Sequence, residues 1–363
     1  MLNPDRLARI RARMRHAGVD LLALSPGDDL FYLLGYSPHA DERPCYLLLS
    51  ATDGLFLVPE LNAGQARGHV DVPMLTYTDA EGPADVLRQA RDRLGPASRV
   101  CVADTMRADF VLLLQARWPK SAFVPGVEVM APVRMIKTAD EIAALRRSAA
   151  TADVAVDAAF AACRPGATEV AVARAVAEAF AAQGVVSAGP AIVGGGPNSA
   201  FPHHASGPRP LQEGEPVLVD VGGRLDGYAS DITRMAYLGQ PSARYREVHT
   251  VVEHAVRAGI DAVKIGAPLA AVDRAARRVI DDAGFGRFFT HRTGHGIGIS
   301  GHEPPSVTHT NDLPIEEGMV FSVEPGIYLE GEFGVRLEEI VVVTADGGER
   351  LSALPREVRI LLS

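Results

Sequence analysis

The second part of the chain repeats itself, and that duplication limits the folds available to it. RPGATEVAVARAVAEAFAAQG, from Arg164 to Gly184, aligns with KIGAPLAAVDRAARRVIDDAG, from Lys264 to Gly284. Gly, Ala, Val and Arg recur at matching places, and each copy closes on a glycine suited to a helix C-terminus. Further on, LQEGEPVLVDVG (Leu211 to Gly222) aligns with IEEGMVFSVEPG (Ile315 to Gly326), and in that register Asp220 falls on Glu324. Two short Ala-rich helices match easily by chance. Helix, glycine turn, apolar strand and carboxylate recurring in one order do not. Two halves, each of two helices followed by strands with a carboxylate near a strand end, are expected to form a pseudo-symmetric α+β domain. Its acids would face each other at the axis.

Ahead of the repeat the pattern changes. An Arg-rich amphipathic start is followed by DLLALS, CYLLLS and LFLVPE, a helix near Ala80 to Leu94, and RVCVAD at Arg99 to Asp104. Short apolar strands interleaved with helices predict a smaller α/β domain. In KTADEIAALRRSAATADVAVDAAFAAC, Thr138 and Glu141 have the spacing of a capping box, so a long helix should start there and run to Arg164-Pro165-Gly166. The chain of 363 residues, about right for two domains by the usual prior of ~100 to 200 residues each, therefore divides at 1–132 and 133–363.

A formal charge of -9 and the lack of a dense Lys/Arg run argue against nucleic-acid or anionic-membrane partners, which need local positive charge. Small molecules or peptides are the expected partners. The basic start has no signal-peptide apolar core, and no apolar run is long enough to span a bilayer, so the expected compartment is the cytoplasm. Cys45, Cys101 and Cys163 are scattered and odd in number, which leaves neither a disulfide framework nor a CxxC zinc site and makes them core fillers.

The chemistry concentrates in five residues: Asp220 and Asp231 in VDVGGRLDGYASDITR, His295 in HRTGHGIG, Glu324 in SVEPGIY and Glu338 in GVRLEEIVVV. Singly, Asp220 before Gly reads as a turn former, Asp231 as a strand-end cap and Glu324 before Pro as a strand stop. Together they put ionised carboxylates in or beside apolar strands, where burial without positive charge is costly. Arg234 and Arg336 are too few to match them. Two divalent cations sharing bridging carboxylates would supply the balance, and oxygen ligands with a single imidazole suit manganese or cobalt, and zinc less selectively.

GHGIG (Gly294 to Gly298) and GGGPN (Gly194 to Asn198) lack the endings of phosphate or dinucleotide loops. They are expected to be close backbone approaches that seat a histidine or a substrate. FPHH (Phe201 to His204) and GHEPP (Gly301 to Pro305) each precede a cage carboxylate in their own half. A histidine beside a proline is commonly just exposed, but the repeat would put His203 and His302 on opposite sides of the metals.

As a set, PNSAFPHH, DVGGRLDGYASDITR, HRTGHGIGISGHEPP, GMVFSVEPGIYLEGEFGVRLEE and VRMIKTADEIAALRRS resemble the pita-bread metallopeptidases, in the branch of Xaa-Pro dipeptidase (prolidase) and Xaa-Pro aminopeptidase. More weakly, DDLFYLLGY resembles the creatinase-type N-terminal domain. The resemblance implies a two-metal site in which Asp220 holds one ion, His295 and Glu324 hold the other, Asp231 and Glu338 bridge, and Glu324 also handles a proton. It implies that His203 and His302 stabilise the tetrahedral intermediate or orient substrate and that His291 faces the residue after the scissile bond. It makes Arg336 and Thr233 the partners of the bridging carboxylates. Where many relatives have Asp after the last ligand, this chain has Glu339.

The resulting expectation is a manganese enzyme, with cobalt or zinc as alternatives, that cleaves Xaa-Pro dipeptides and forms a homodimer through its N-terminal domain. A loop of the N-terminal domain around His39 to Arg43, from the same or the partner subunit, would close the cleft to longer peptides. An open cleft would instead make it an aminopeptidase on longer substrates, and loss of metal binding would make it a peptide-binding or partner-binding module.

Overall fold

The computed structural model describes residues 2–186 and 189–361, and the chain divides into a unit ending at Arg134 and a unit beginning at Met135. The first unit carries helices α1 (Pro4–His16), α2 (Asp28–Leu34), α3 (Glu60–Ala66), α4 (Ala84–Leu94), α5 (Ala108–Arg117) and α6 (Val127–Arg134). Its strands are β1 (Leu21–Leu24), β2 (Tyr46–Ser50), β3 (Gly54–Pro59), β4 (Met74–Tyr77), β5 (Arg99–Val102) and β6 (Ala122–Pro125). They form one sheet in the order β4-β3-β2-β1-β5-β6, antiparallel from β1 to β3 and parallel at both flanks. The central strands are buried along almost their whole length, which is why they read as continuous apolar runs rather than alternating ones. DDLFYLLGY, read only as a family mark, forms α2 and stops at Gly35 in the left-handed region.

The second unit opens with the capping box at Thr138, whose hydroxyl accepts from Glu141 N while the Glu141 carboxylate accepts from Thr138 N. Its helices are α7 (Ala139–Ala162), α8 (Glu169–Ala182), α9 (Ala243–Asp261) and α10 (Leu269–Asp282). Between α8 and α9 lie β7 (Ile192–Gly195), β8 (Pro216–Leu225) and β9 (Tyr228–Leu238), completed by the terminal β17 (Arg359–Leu361) into a sheet ordered β17-β9-β8-β7. After α10 come β10 (Gly294–Gly296), β11 (Glu303–Val307), β12 (Val320–Val323), β15 (Glu339–Thr344) and β16 (Gly347–Arg350) in one sheet, with β13 (Gly326–Leu329) and β14 (Phe333–Arg336) as a separate hairpin.

The duplication is structural. Gly166 N donates to Leu211 O and Gly266 N to Ile315 O, both at 2.8 Å, and the reciprocal bonds Leu211 N to Ala167 O and Ile315 N to Ala267 O are also 2.8 Å. The turn glycines before the paired strands, Gly214 (φ 83) and Gly318 (φ 84), share one left-handed conformation that side chains disfavour. One detail departs from the expected symmetry: Glu324 lies just past β12, but Asp220 lies in the middle of β8. Alternation sets its direction. Val217, Val219 and Val221 turn into the core with Val156, Val176 and Phe180, while Leu218 turns to a second core with Val252, Phe321 and Val335. Asp220 shares the side of Leu218, toward the other half. The halves form the two-sided α+β arrangement that the resemblance implied.

Candidate metal centre

In the β8–β9 ladder Asp220 stands opposite Thr233, and Gly222 opposite Asp231. The two-residue period therefore puts both aspartates and Thr233 on one face. The second half brings Glu324, just past β12, and Glu338, just before β15, whose first residue pairs with Val323. Two backbone bonds fix these carboxylates: Glu324 N to Thr293 O at 2.8 Å, and Glu338 N to Thr233 O at 3.2 Å, which ties the halves together. His295 sits on β10 between β11 and β12. A Cβ at Gly294 would collide with the Ser322 carbonyl, and one at Gly296 with the Pro304 carbonyl, so GHG is the close approach that seats the imidazole.

The five residues expected to form the cage come together. Asp231, His295 and His302 form one group whose ligating atoms lie within 4.8 Å of one another; His295, Glu324 and Glu338 form a second, and Asp220, Asp231 and Glu338 a third. Glu338 belongs both to the group with the aspartates and to the group with His295 and Glu324. Its Oε2 accepts from Thr233 Oγ1 at 3.0 Å, but its Oε1 is buried with no hydrogen-bond partner among the described residues. His295 donates from Nδ1 to the Gly296 carbonyl at 3.1 Å, which turns Nε2 to the acids, 3.2 Å from Glu324 and 3.8 Å from Asp231. A buried acceptor lacking a donor and an imidazole nitrogen turned onto converging carboxylates suit a divalent cation.

The electrostatics agree. Burial, then the charge of Asp220, holds the Asp231 carboxyl well above the ordinary range, with His295 and Arg336 opposing. Burial, then Asp231, does the same to Glu338. Burial would also raise Glu324, but the hydrogen bond and charge of His295, with Arg336 and His291, bring it below the usual value. The cage thus contains two acids that cannot easily ionise together unless more positive charge arrives.

Arg336 does not grip both expected bridging acids. Its Nη2 lies 2.5 Å from Asp220 Oδ2, and it reaches Glu338 only through Thr233, to whose Oγ1 Nε donates at 3.1 Å. Nη1 donates to Tyr328 Oη at 2.8 Å, and Nη2 also reaches the Pro202 carbonyl beside His203. Arg234, read with Arg336 as a nearby cation, points away to Glu339. His291 lines the cavity, but both its nitrogens are engaged: Nδ1 donates to the Arg292 carbonyl at 2.7 Å and Nε2 accepts from Tyr328 Oη at 2.8 Å. Burial lowers its pKa, so a neutral ring faces the cavity.

The exposed His302 ring lies tilted against His295 with centroids 3.8 Å apart, and partial burial, then His295 and Arg292, pull its pKa down to about 4. His203 lines the same cavity, close enough to contribute to that shift. His204 instead bonds Glu169 Oε2 at 2.8 Å. The GGGPN loop closes on the same carboxylate through Gly195 N and Asn198 Nδ2. Sequence reasoning passed over Tyr328, Glu169 and Ser322, whose Oγ donates to Glu324 Oε1 at 3.0 Å and accepts from His295 N at 2.9 Å. EPGIY carried a hint of Tyr328; nothing local marked the other two.

The cavity over these groups measures about 1040 Å³, with Pro190, Ile192, Phe201 and Arg292 among its walls. An acid-rich cage with one central imidazole, set where two copies of an α+β unit meet, defines a metal-dependent hydrolase. Residues 143–345 match metallopeptidase family M24, and residues 6–136 match the creatinase/prolidase N-terminal domain. A probable dipeptidase PepE of Mycobacterium tuberculosis is 36% identical over 98% of this chain and 96% of its own length. The Xaa-Pro dipeptidase of Lactobacillus delbrueckii subsp. lactis is 34% identical over 98% of both. The crystal structure of a dipeptidase from Pyrococcus horikoshii superposes with a TM-score of 0.93 at 34% identity, covering 98% of this chain and 100% of that one. The chain belongs to metallopeptidase family M24.

Proposed function

We propose that the chain is an Xaa-Pro dipeptidase working with two divalent ions, manganese first, held by Asp220, Asp231, His295, Glu324 and Glu338. The observation that carries this reading is Glu338: a buried carboxylate shared by two ligand groups, with one oxygen unpartnered among the described residues. Asp220 would serve one ion, His295 and Glu324 the other, and Asp231 and Glu338 both. Bound ions supply Lewis acidity, polarising the scissile carbonyl and acidifying a water.

The chain's own groups do the rest. Glu324, fixed by Ser322 Oγ and the His295 ring, takes up a proton on its carboxylate and delivers it to the departing prolyl nitrogen. His302, an exposed ring whose pKa partial burial and the neighbouring His295 and Arg292 lower, donates a ring N–H to the oxygen that gains charge, with His203 beside it. Arg336 holds Asp220, Tyr328 and the Pro202 carbonyl in one arrangement.

Preference for proline follows from His291. A prolyl nitrogen in peptide linkage has no N–H, and a histidine with both nitrogens engaged presents a ring edge and face rather than a competing hydrogen bond. Ile192 and Phe201 add apolar wall. The relatives named as dipeptidases, which match along nearly their whole length, support restriction to dipeptides. Pairing of two copies through the first unit and a cytoplasmic setting, in keeping with three buried unpaired cysteines, belong to the same reading.

Hydrolysis of Ala-Pro, Ala-Ala and Ala-Pro-Ala by the manganese-loaded protein tests it. Cleavage of Ala-Pro alone is expected. Efficient cleavage of Ala-Pro-Ala would make the protein an Xaa-Pro aminopeptidase, and inactivity with manganese, cobalt and zinc alike would favour a binding module.

A further inference from the structure

Behind the cage lies a second buried charged cluster, built around Arg234. This side chain is 1% exposed and makes bonds in three directions. Nη1 donates to the Thr233 carbonyl at 3.1 Å and to the Glu338 carbonyl at 2.5 Å. Nη2 donates to Glu339 Oε1 at 2.8 Å and to the Leu354 carbonyl at 2.9 Å, and Nε to the Pro355 carbonyl at 2.9 Å. One planar fork thus grips the main chain of the two residues whose side chains meet at the cage, Thr233 and Glu338, and locks both to the segment near the C-terminus. Arg356 and Arg350 complete the charge balance on Glu339, at 3.2 and 3.7 Å.

We propose that Arg234 is a positioning residue for metal binding: it holds the main chain of Glu338 and Thr233 so that the Glu338 carboxylate is already aimed at the cage before an ion arrives. The inference rests on the reading of Glu338 as a ligand. Five N–H donors in a rigid plane can fix four carbonyls and a carboxylate at once; a lysine ammonium keeps the charge for Glu339 but cannot reproduce that fork. Arg234 reaches the cage through the backbone, so its loss should loosen ion binding while leaving every ligand present. Partners at this distance from a metal typically alter affinity by about 10- to 100-fold.

The test titrates manganese into the ion-free full-length chain by calorimetry and compares Arg234→Lys with Arg356→Gln. The second variant also strips a cation from Glu339 but leaves the bonds to Glu338 and Thr233 intact. Arg234→Lys is expected to weaken ion binding by about 10- to 100-fold and to recover most of its kcat when ion is saturating, while Arg356→Gln binds like wild type. Wild-type affinity in a folded Arg234→Lys protein overturns the proposal, as does equal weakening in both variants. If Arg234→Lys does not fold, Arg234→Met/Glu339→Leu decides by the same criterion, because exchanging a whole buried ion pair for apolar groups commonly preserves stability. Glu338→Gln separates the two levels: unchanged ion affinity there removes the ligand reading itself, whereas loss there with wild-type binding in the Arg234 variants removes only the positioning role.

Discussion

Glu338 and Glu339 are adjacent and almost fully buried, yet they face different surroundings. Glu339 lies among Arg234, Arg356 and Arg350, whose charges oppose the rise that burial imposes on it. Glu338 lies among Asp231, Glu324 and Asp220, which add to the effect of burial, with Arg336 opposing. Each keeps one oxygen without a hydrogen-bond partner among the described residues, so the contrast is one of charge rather than bond count. The protein neutralises one carboxylate with its own side chains and leaves the other for an ion. Buried charge that is matched internally holds a fold together, whereas charge left unmatched marks a site.

The largest expected effect is on activity. Asp231→Asn, and equally Glu338→Gln, should abolish Ala-Pro hydrolysis, with a loss beyond the ~100-fold typical of groups outside the ligand set, and metal retention should fall in parallel. Unchanged turnover in either variant would erase the contrast between the two neighbours. Next comes stability of the ion-free chain, followed by thermal or urea unfolding. Glu339→Gln should destabilise it by roughly 3–5 kcal/mol, the usual cost of removing one partner from a buried ion pair. Glu338→Gln should leave it unchanged or raise it, because a repelling carboxylate disappears. Equal losses in both would show that the environments are energetically alike.

Protons sharpen the comparison further. Asp231 and Glu338 are pushed above their ordinary values, so ion binding between the ordinary and the raised values should expel protons, visible by calorimetry in buffers of different ionisation enthalpy. The sign for stability follows. Between the ordinary glutamate value and the raised one, the folded ion-free chain binds more protons than the unfolded chain, so its stability falls as pH rises through that window. Glu338→Gln or bound manganese should flatten the slope. A slope unaffected by both would place the raised groups elsewhere. The smallest effect should come from Ser322→Ala, which removes one hydrogen bond from Glu324 and should weaken ion binding by about 10-fold, the low end for such partners; a loss as large as that of Asp231→Asn would make Ser322 part of the ligand set.

The sequence exposed the features that repeat or that conflict locally. Asp220 aligned with Glu324 because the duplication preserved turn, strand and carboxylate, and Glu338 stood out as an acid before an apolar run. It was silent where a residue's meaning depends on distant partners. Arg234 read as a second cation near the cage, yet strand alternation turns it to the opposite face from Thr233 and Asp231, onto Glu339. The departure at Glu339 has its physical account there, in three arginines drawn from β9, β16 and the segment before β17. Glu169 and Ser322 looked like an ordinary helix start and an ordinary strand serine. Glu169 bonds a residue 26 positions away, and Ser322 joins Glu324 to a residue 27 positions away, links that no local motif shows.

The central claim is that the charge missing around Glu338 and Asp231 is supplied by divalent ions. Elemental analysis of wild-type and Glu338→Gln protein after manganese incubation and exhaustive dialysis tests it most directly. The account predicts about two ions per wild-type chain, as a cage with shared carboxylates requires, and a marked loss in the variant. Less than one ion per wild-type chain, or equal retention by the two proteins, would contradict it.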